Sequence, residues 1–492
     1  MLKPTQTTTQ FILANIRAVC AAASIGTAAT GIVHGGEPML KDTKNVVEET
    51  PANPLCFADG TLCFDVQERM RFEIRSDNFD FNSGTNSPTD GDWLLQRFRI
   101  GLLWKPEPWL KFYVQGQDSR EIGSDRSKTP GTMGSEGDDT FDLRQAYIEV
   151  GGTKDMPLSL KLGRQTLIYG DERLVGSFDW NNFGRTFDAA KVVYKNPKFQ
   201  LDLFTSSVVV IERDRFNQSD LFNGNENHRG MIFSGVYLTT DQMPFGTADL
   251  YGFWLSQSSG NVSNQEASVS FKPLTGDTLA AQHSSFGTIG SRLKGDPKKL
   301  HGWEFELEGA YQNGQVNDLN LNAWAIHGGV GYNFDAPWKP RLWAEYNYAS
   351  GDRNPNDGNS ETFQNLFPTN HKFYGFMDVF SWQNMHNPMI SLRVTPLKTV
   401  TAQLDYHAFW LASTDDFWYR ANGLATVRPL TPAARAASNF AGQEIDFTVT
   451  WTPYKWLQFQ AGYSHFFAGD YLRDTGTQDD ADFGYLIATV NF

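Results

Sequence analysis

After its first 33 residues the chain has no unbroken apolar run near the roughly 20 residues that a membrane-spanning helix needs. With a mean hydropathy of -0.43, this excludes a bundle of transmembrane helices. Basic residues are in deficit, Lys+Arg 42 against Asp+Glu 56, giving a formal net charge of -14. Nucleic-acid binding wants a basic face, so it is not expected. No Pro- or Ser-rich linker divides the 492 residues. There is no Gly-rich phosphate loop and no metal-ligand spacing, so no cofactor and no metal are expected.

Cysteine is scarce, with three in the chain. Cys20 lies in a segment that reads as an export signal: Lys3 and Arg17 precede AVCAAASIGTAATGIV (Ala18–Val33), apolar and small. Residues 1–33 are therefore read as a signal peptide, and 34–61 as a periplasmic spacer without periodicity. Cys56 and Cys63 flank FADGTL, whose Asp-Gly reads as a tight turn. An oxidising compartment favours a disulfide between them; two unpaired thiols are the alternative.

What the chain does have is aromatics (14%, with Phe 37 and Trp 14) and Gly 44. A polar average with many aromatics and glycines suits a barrel with a polar lumen, but also a sandwich array or a propeller. The period discriminates. In CFDVQERMRFEIR (63–75), Phe64, Val66, Met70, Phe72 and Ile74 share one face, and Asp65, Gln67, Arg69, Arg71, Glu73 and Arg75 the other. Side chains alternate across a strand, so this is a strand with one apolar and one charged face. The same alternation runs through WLLQRFRIGLLW, WEFELEGAY, VTAQLDYHAFW and EIDFTVTW. These runs of about 10 to 13 residues exceed the 5 or 6 of globular strands and fit a tilted bilayer crossing. Aromatics sit near their ends, as interfacial girdles would.

Short turns at 105–108, 196–198, 396–398 and 453–455 alternate with long polar connections at 119–140, 169–186, 210–228, 352–386 and 412–442. Strands are expected to start near 64, 93, 109, 141, 158, 187, 199, 229, 247, 284, 301, 321, 341, 387, 399, 443, 456 and 482, with 258–284 the weakest stretch. The fold class is all-β: a transmembrane antiparallel up-and-down β-barrel of about 18 strands over residues 62–492, both ends periplasmic. No propeller repeat of about 40–50 residues is visible. FGYLIATVNF (483–492) reads as the closing strand, its Gly484, Leu486, Ala488, Val490 and Phe492 facing lipid and its backbone pairing with the strand near Phe64.

The charged faces then line a lumen. Arg69, Arg71, Arg75, Arg97 and Arg99 cluster in the first strands; Arg393 lies far downstream, and Glu306, Asp405, Glu444 and Asp446 supply acid. Rings of Arg and Lys select anions in pores. Arg144 and Arg164 break strict alternation and would face lipid, at a cost of about 2–4 kcal/mol near the bilayer midplane. A bulge in each strand, with Gly163 a natural place, or a position at the rim, would relieve this. Asp352, Asn354 and Asn356 mimic the start of a calcium loop but lack its later ligands, and read as a polar turn. His407, Asp405 and Ser391 come without a nucleophile motif, so an enzyme such as a barrel lipase is not expected.

LKLGRQTLIYGDERLVGSFDWNNFGRTFDAAKV (160–192), LFPTNHKFYG (366–375), LDYHAFW (404–410), GQEIDFTVT (442–450) and AGYSHFFAGDYL (461–472) resemble the alginate-export family of outer-membrane proteins. The resemblance runs from about 62 to 492. It implies an 18-stranded barrel that secretes an anionic polysaccharide through an arginine-rich constriction, and makes Arg144, Arg164 and Asp188 constriction candidates. Outer-membrane lipid, an anionic polysaccharide such as alginate and periplasmic secretion proteins are the implied partners. The basic wall thins in the C-terminal half, where LQFQAG carries Gln458 and Gln460 and YHAFW carries Ala408. The alternative is a general or substrate-specific porin for small anionic solutes.

Overall fold

The structure, a computed structural model, describes residues 55–492 apart from 86–88, 127, 129–135, 212, 214, 220–230, 258–259, 262–279, 282 and 424–425. The expected signal, the spacer up to 54 and most of 258–284 lie outside the described residues.

Each alternating segment forms a long strand. In chain order these are β1 (Leu62–Ser76), β2 (Gly91–Glu107), β3 (Leu110–Ile122), β4 (Asp139–Gly151), β5 (Leu158–Gln165) and β6 (Phe187–Lys195). Then come β7 (Gln200–Val210), β8 (Ile232–Met243), β9 (Gly246–Gln257), β10 (Ser284–Gly295), β11 (Trp303–Val316) and β12 (Leu319–Asn333). The last are β13 (Arg341–Ala349), β14 (Met385–Leu397), β15 (Val400–Leu411), β16 (Phe440–Tyr454), β17 (Leu457–Ala468) and β18 (Ala481–Asn491). Every strand pairs antiparallel with its sequence neighbours, and β18 pairs back onto β1 from Gln67↔Asn491 to Ser76↔Asp482. The result is a closed barrel of 18 strands, which leaves no open edge. Both ends of β1–β18 meet at the end that carries the short turns.

The two faces separate as the alternation requires. Leu250, Ile289 and Leu486 are 61%, 64% and 60% exposed on the outside, within a continuous apolar band. In water such a band is a liability; in hydrocarbon it is the solvent-matched surface. Trp104, Trp303, Trp338 and Trp451 ring the short-turn end, and Phe141, Trp254, Trp324 and Phe467 ring the other. Between β11 and β12 the connection is only Asn317 and Asp318, both at positive φ (50 and 62), the geometry of a tight hairpin turn.

Upstream of β1, Leu55–Phe57 pairs antiparallel with its first residues, placing Cys56 opposite Cys63, and a disulfide joins them. The spacer is thus ordered at its end rather than without structure.

Two connections, 166–186 and 350–384, fold into the barrel instead of out of it. They meet in the interior through a parallel bridge, Val175↔Phe367. Gly176 N–H donates to the Phe367 carbonyl at 2.8 Å, and Phe367 N–H to the Leu174 carbonyl at 2.8 Å. Tyr169 stacks between Phe204 and Tyr237 of the wall, at 5.4 and 4.7 Å between centroids. Phe363, Leu366, Phe380 and Trp382 of the second connection are buried. The inward connections therefore build an apolar core against strand aromatics such as Phe204, Phe233 and Phe253, while other sectors of the wall bury charge.

Candidate functional site

On β1 and β2 the period of two brings Arg69 opposite Arg97 and Gln67 opposite Arg99, all facing inward. All three guanidinium groups are buried. Glutamines set the forks: Arg97 Nε and Nη2 donate to Gln67 Oε1 at 3.1 and 2.7 Å, and Arg99 Nε donates to Gln117 Oε1 at 2.6 Å. The remaining N–H groups aim at the tip of the inward connection 166–186. Arg69 Nη1 and Arg97 Nη1 donate to the Asp179 carbonyl at 2.8 and 2.9 Å. The Asp179 carboxylate bridges Arg97 Nη2 at 3.2 Å and Arg99 Nη1 at 2.7 Å. Burial opposes its ionisation, but Arg97 and Arg99, with Arg69 and Arg144, hold this carboxyl well below the usual range. Gly184, at φ +70, lets the same connection pass close to the wall: a Cβ there would lie 3.1 Å from Arg99 Nη2 and 3.3 Å from Arg144 Nη2.

Arg71 pairs with Glu73 at 2.7 Å and with Glu136, donates to the Trp180 carbonyl, and lies 4.3 Å over the Trp180 ring. Arg75 bonds Glu73 at 3.3 Å and covers Phe483 at 4.0 Å. The basic wall read in sequence is thus matched in part, by Glu73, Glu136 and Asp179, while Arg69 and Arg144 bond carbonyl and amide oxygens.

Arg144 turns inward, whereas Arg164 keeps the outward phase, at the rim. The register of β3 with β4 slips between Gln115↔Gln145 and Gly116↔Leu143, so Arg144 is the extra residue of a bulge. Its Nη1 donates to Gln115 Oε1 at 2.9 Å. In β5 the expected bulge is absent: pairing runs on unbroken through Gly163. Gly163 sits at φ +118, where a Cβ would lie 2.3 Å from the Ala146 carbonyl oxygen, and Arg164 holds the rim position that was the other expectation, one residue from the end of β5 and on the face opposite Phe187. Arg164 then takes Asp188, its cross-strand partner, in a fork: Nε to Oδ1 at 3.0 Å and Nη2 to Oδ2 at 3.3 Å.

The opposite wall is acidic. Arg173 of the same connection reaches Glu306 and Glu308 at 3.8 Å each, Glu345 at 3.9 Å and His327 at 3.0 Å. Asp171 pairs with Arg292 at 3.3 Å and Lys294 at 2.7 Å. Further round, Asp405 and Asp446 are cross-strand partners, Asp446 lies 3.6 Å from His407, and Glu444 Oε1 accepts from Met377 N–H at 2.9 Å. Ser391 stands opposite Asp405, not His407, so these residues do not form a nucleophile relay. Arg393 sits apart, half-buried between Arg341 and Gln403. Asn354 N–H donates to Asp352 Oδ1 at 3.0 Å, a polar turn. Among the described residues Asp77, Asp80 and Asp90 offer carboxylate oxygens within 4.8 Å of one another, but Arg420 and Arg428 already act on Asp80.

Of the candidates from sequence, Arg69, Arg71, Arg75, Arg97, Arg99 and Arg144 come together on one side of the interior, Arg164 with Asp188 stands at the rim on the outward phase, and Glu306, Asp405, Glu444 and Asp446 lie on other sectors. Asp171, Arg173, Asp179, Trp180 and Glu136 went unnoticed. For Asp179 and Trp180 the signal was composition: SFDWNNF, like FYGFMDVFSW of the second connection, holds too many aromatics for a connection bathed in water.

A family model described as alginate export matches residues 61–485. No curated protein matches the chain. Solved barrels of Pseudomonas aeruginosa are similar in fold. OpdK, solved with vanillate, is 11% identical with a TM-score of 0.55, over 88% of this chain and 98% of that one. OccK2 (OpdF) is 11% identical with a TM-score of 0.56, over 88% and 97%. OccK3 (OpdO) is 14% identical with a TM-score of 0.55, over 88% and 95%.

Proposed function

The chain belongs to the alginate export family, and we propose that it is an outer-membrane channel through which an anionic polysaccharide of the polyuronate type leaves the cell. Family and fold are those of a transport channel rather than an enzyme. The observation that carries the cargo is the convergence of Arg69, Arg97, Arg99 and Arg144 on one sector, with guanidinium forks fixed by glutamines. Planar forks match carboxylates, so a uronate chain would be drawn in by charge and passed on by competition between many weak contacts. Acidic sectors opposite keep the polyanion from sticking, and no chemistry is needed. The termini would lie in the periplasm, where secretion proteins would deliver the chain.

The meeting of connections 166–186 and 350–384 in the interior narrows the path, and this favours a second reading, a porin for small anionic solutes. Planar-bilayer recording separates the two. Wild type should pass anions in preference to cations, and Arg97→Glu with Arg99→Glu should reverse that preference. Block by an oligouronate but not by a neutral oligosaccharide supports export. Cation-selective wild-type current would overturn both.

A further inference from the structure

The position of one carboxylate says more about the basic sector than the arginines do. Asp179 contributes a side chain 46% exposed, whereas Arg97 and Arg99 behind it are 1% and 4% exposed. Its two oxygens are divided between the two guanidinium groups, Oδ2 to Arg97 and Oδ1 to Arg99. Gln67 and Gln117 fix those groups from the rear, so the forks do not depend on Asp179 for their orientation. The backbone adds carbonyls that accept from Arg97 Nη1, those of Asp179 at 2.9 Å and Asn181 at 3.1 Å. Such a set of donors, a preoriented arginine pair with a third arginine, Arg69, alongside, is the chemistry of a carboxylate receptor.

We infer that Arg97 and Arg99 form a discrete carboxylate-binding subsite, that Asp179 is its resident occupant, and that a passing uronate group takes the site by displacing the Asp179 side chain. The inference rests on the polyuronate reading above and deepens it, since it names where one sugar carboxylate binds. Displacement keeps the count of charge-assisted hydrogen bonds constant: one carboxylate leaves as another arrives. The arginines are never left bare and buried, which would be costly. It also keeps residence short, because the tethered Asp179 stands ready to take the site back. The exposed side of Asp179 is the side from which an incoming anion can reach the pair.

The experiment uses the full chain in planar bilayers, with chloride current recorded against added glucuronate. Asp179→Asn should lower the half-blocking glucuronate concentration about tenfold, since a charged competitor has become a neutral one. Asp179→Ala should do the same, and Asp179→Glu should resemble wild type. In the background Arg97→Gln with Arg99→Gln, Asp179→Asn should change the half-blocking concentration no further, the non-additivity of groups that share one site. Heat-modifiable mobility in gels checks that each variant is a folded barrel. Equal glucuronate block in wild type, Asp179→Asn and Asp179→Ala overturns the inference, as does absence of glucuronate block in all of them. If glucuronate block sharpens as stated while an oligouronate blocks no variant, the subsite stands and the polymer reading falls.

Discussion

The indole of Trp180 lies flat on the imidazole of His371, their centroids 3.7 Å apart and their planes 14° from parallel. Phe376 covers the other imidazole face at 4.8 Å. Trp180 belongs to the first inward connection and His371 to the second, so this stack ties the two together beside the arginine sector. Arg71 covers the outer face of the same indole.

Trp180→Ala should therefore loosen the pair of connections. Loss of one stacked ring and one cation–π contact removes about 1–2 kcal/mol from their association. The expected outcome is a higher single-channel conductance with more open-channel noise, in a barrel that still assembles. Unchanged conductance and noise would mean that the stack does not restrict the path.

Gly163 is under a harder constraint. A Cβ at φ +118 would be strained wherever it stood, and here it would meet the Ala146 carbonyl oxygen at 2.3 Å. Gly163→Val should break the β4–β5 pairing beside Arg164. We expect severe loss of heat-modifiable, folded protein, with Gly163→Ala intermediate between it and wild type.

Arg164 and Asp188 should couple strongly. Arg164→Ala leaves Asp188 at the rim without its fork, at a cost of about 2 kcal/mol. Adding Asp188→Asn should recover part of that loss. Urea titrations of the folded fraction, run as a double-mutant cycle, read the coupling directly; additive losses would contradict it.

Acid should not release the inward connection until well below the ordinary carboxylate range. Burial works against ionisation of Asp171, yet Arg292 and Lys294 hold its carboxyl well down. A group with a depressed folded pKa stabilises the fold above its unfolded value and loses that contribution as the pH falls through the folded one. The anchor is thus complete at pH 7 and at about pH 5 alike. Single-channel conductance and resistance to proteolysis within 166–186 should be flat over that window. A change between those two pH values would assign the anchoring to other groups.

The barrel itself was legible because its signal is local and redundant. β5, β6, β10 and β13 begin at the residues expected, and most others within two or three. A period of two sustained over 10 or more residues, bounded by turn residues, leaves little freedom in register. The bulge at Arg144 was legible for a related reason: an arginine on a lipid-facing phase demands a correction. For Arg164 the pattern left a bulge and a rim position equally open, and the end of β5 one residue later decides for the rim. The interior could not be read at all from pattern. Arg69 and the Asp179 carbonyl it binds are 110 residues apart, and no periodicity relates a strand to the loop that folds against it. The clustering of Arg97 with Arg99 announced positive charge; only the fold places the Asp179 carboxylate upon it.

The anchors of connection 166–186 lie on distant parts of the chain: Arg69 and Arg97 near its beginning, Glu306 and Glu345 far along it. Those strands come into a common interior only once β18 has docked on β1. All of these contacts are made at once only in the closed ring, so the barrel is the hoop against which the inner connection is held from two opposite sides.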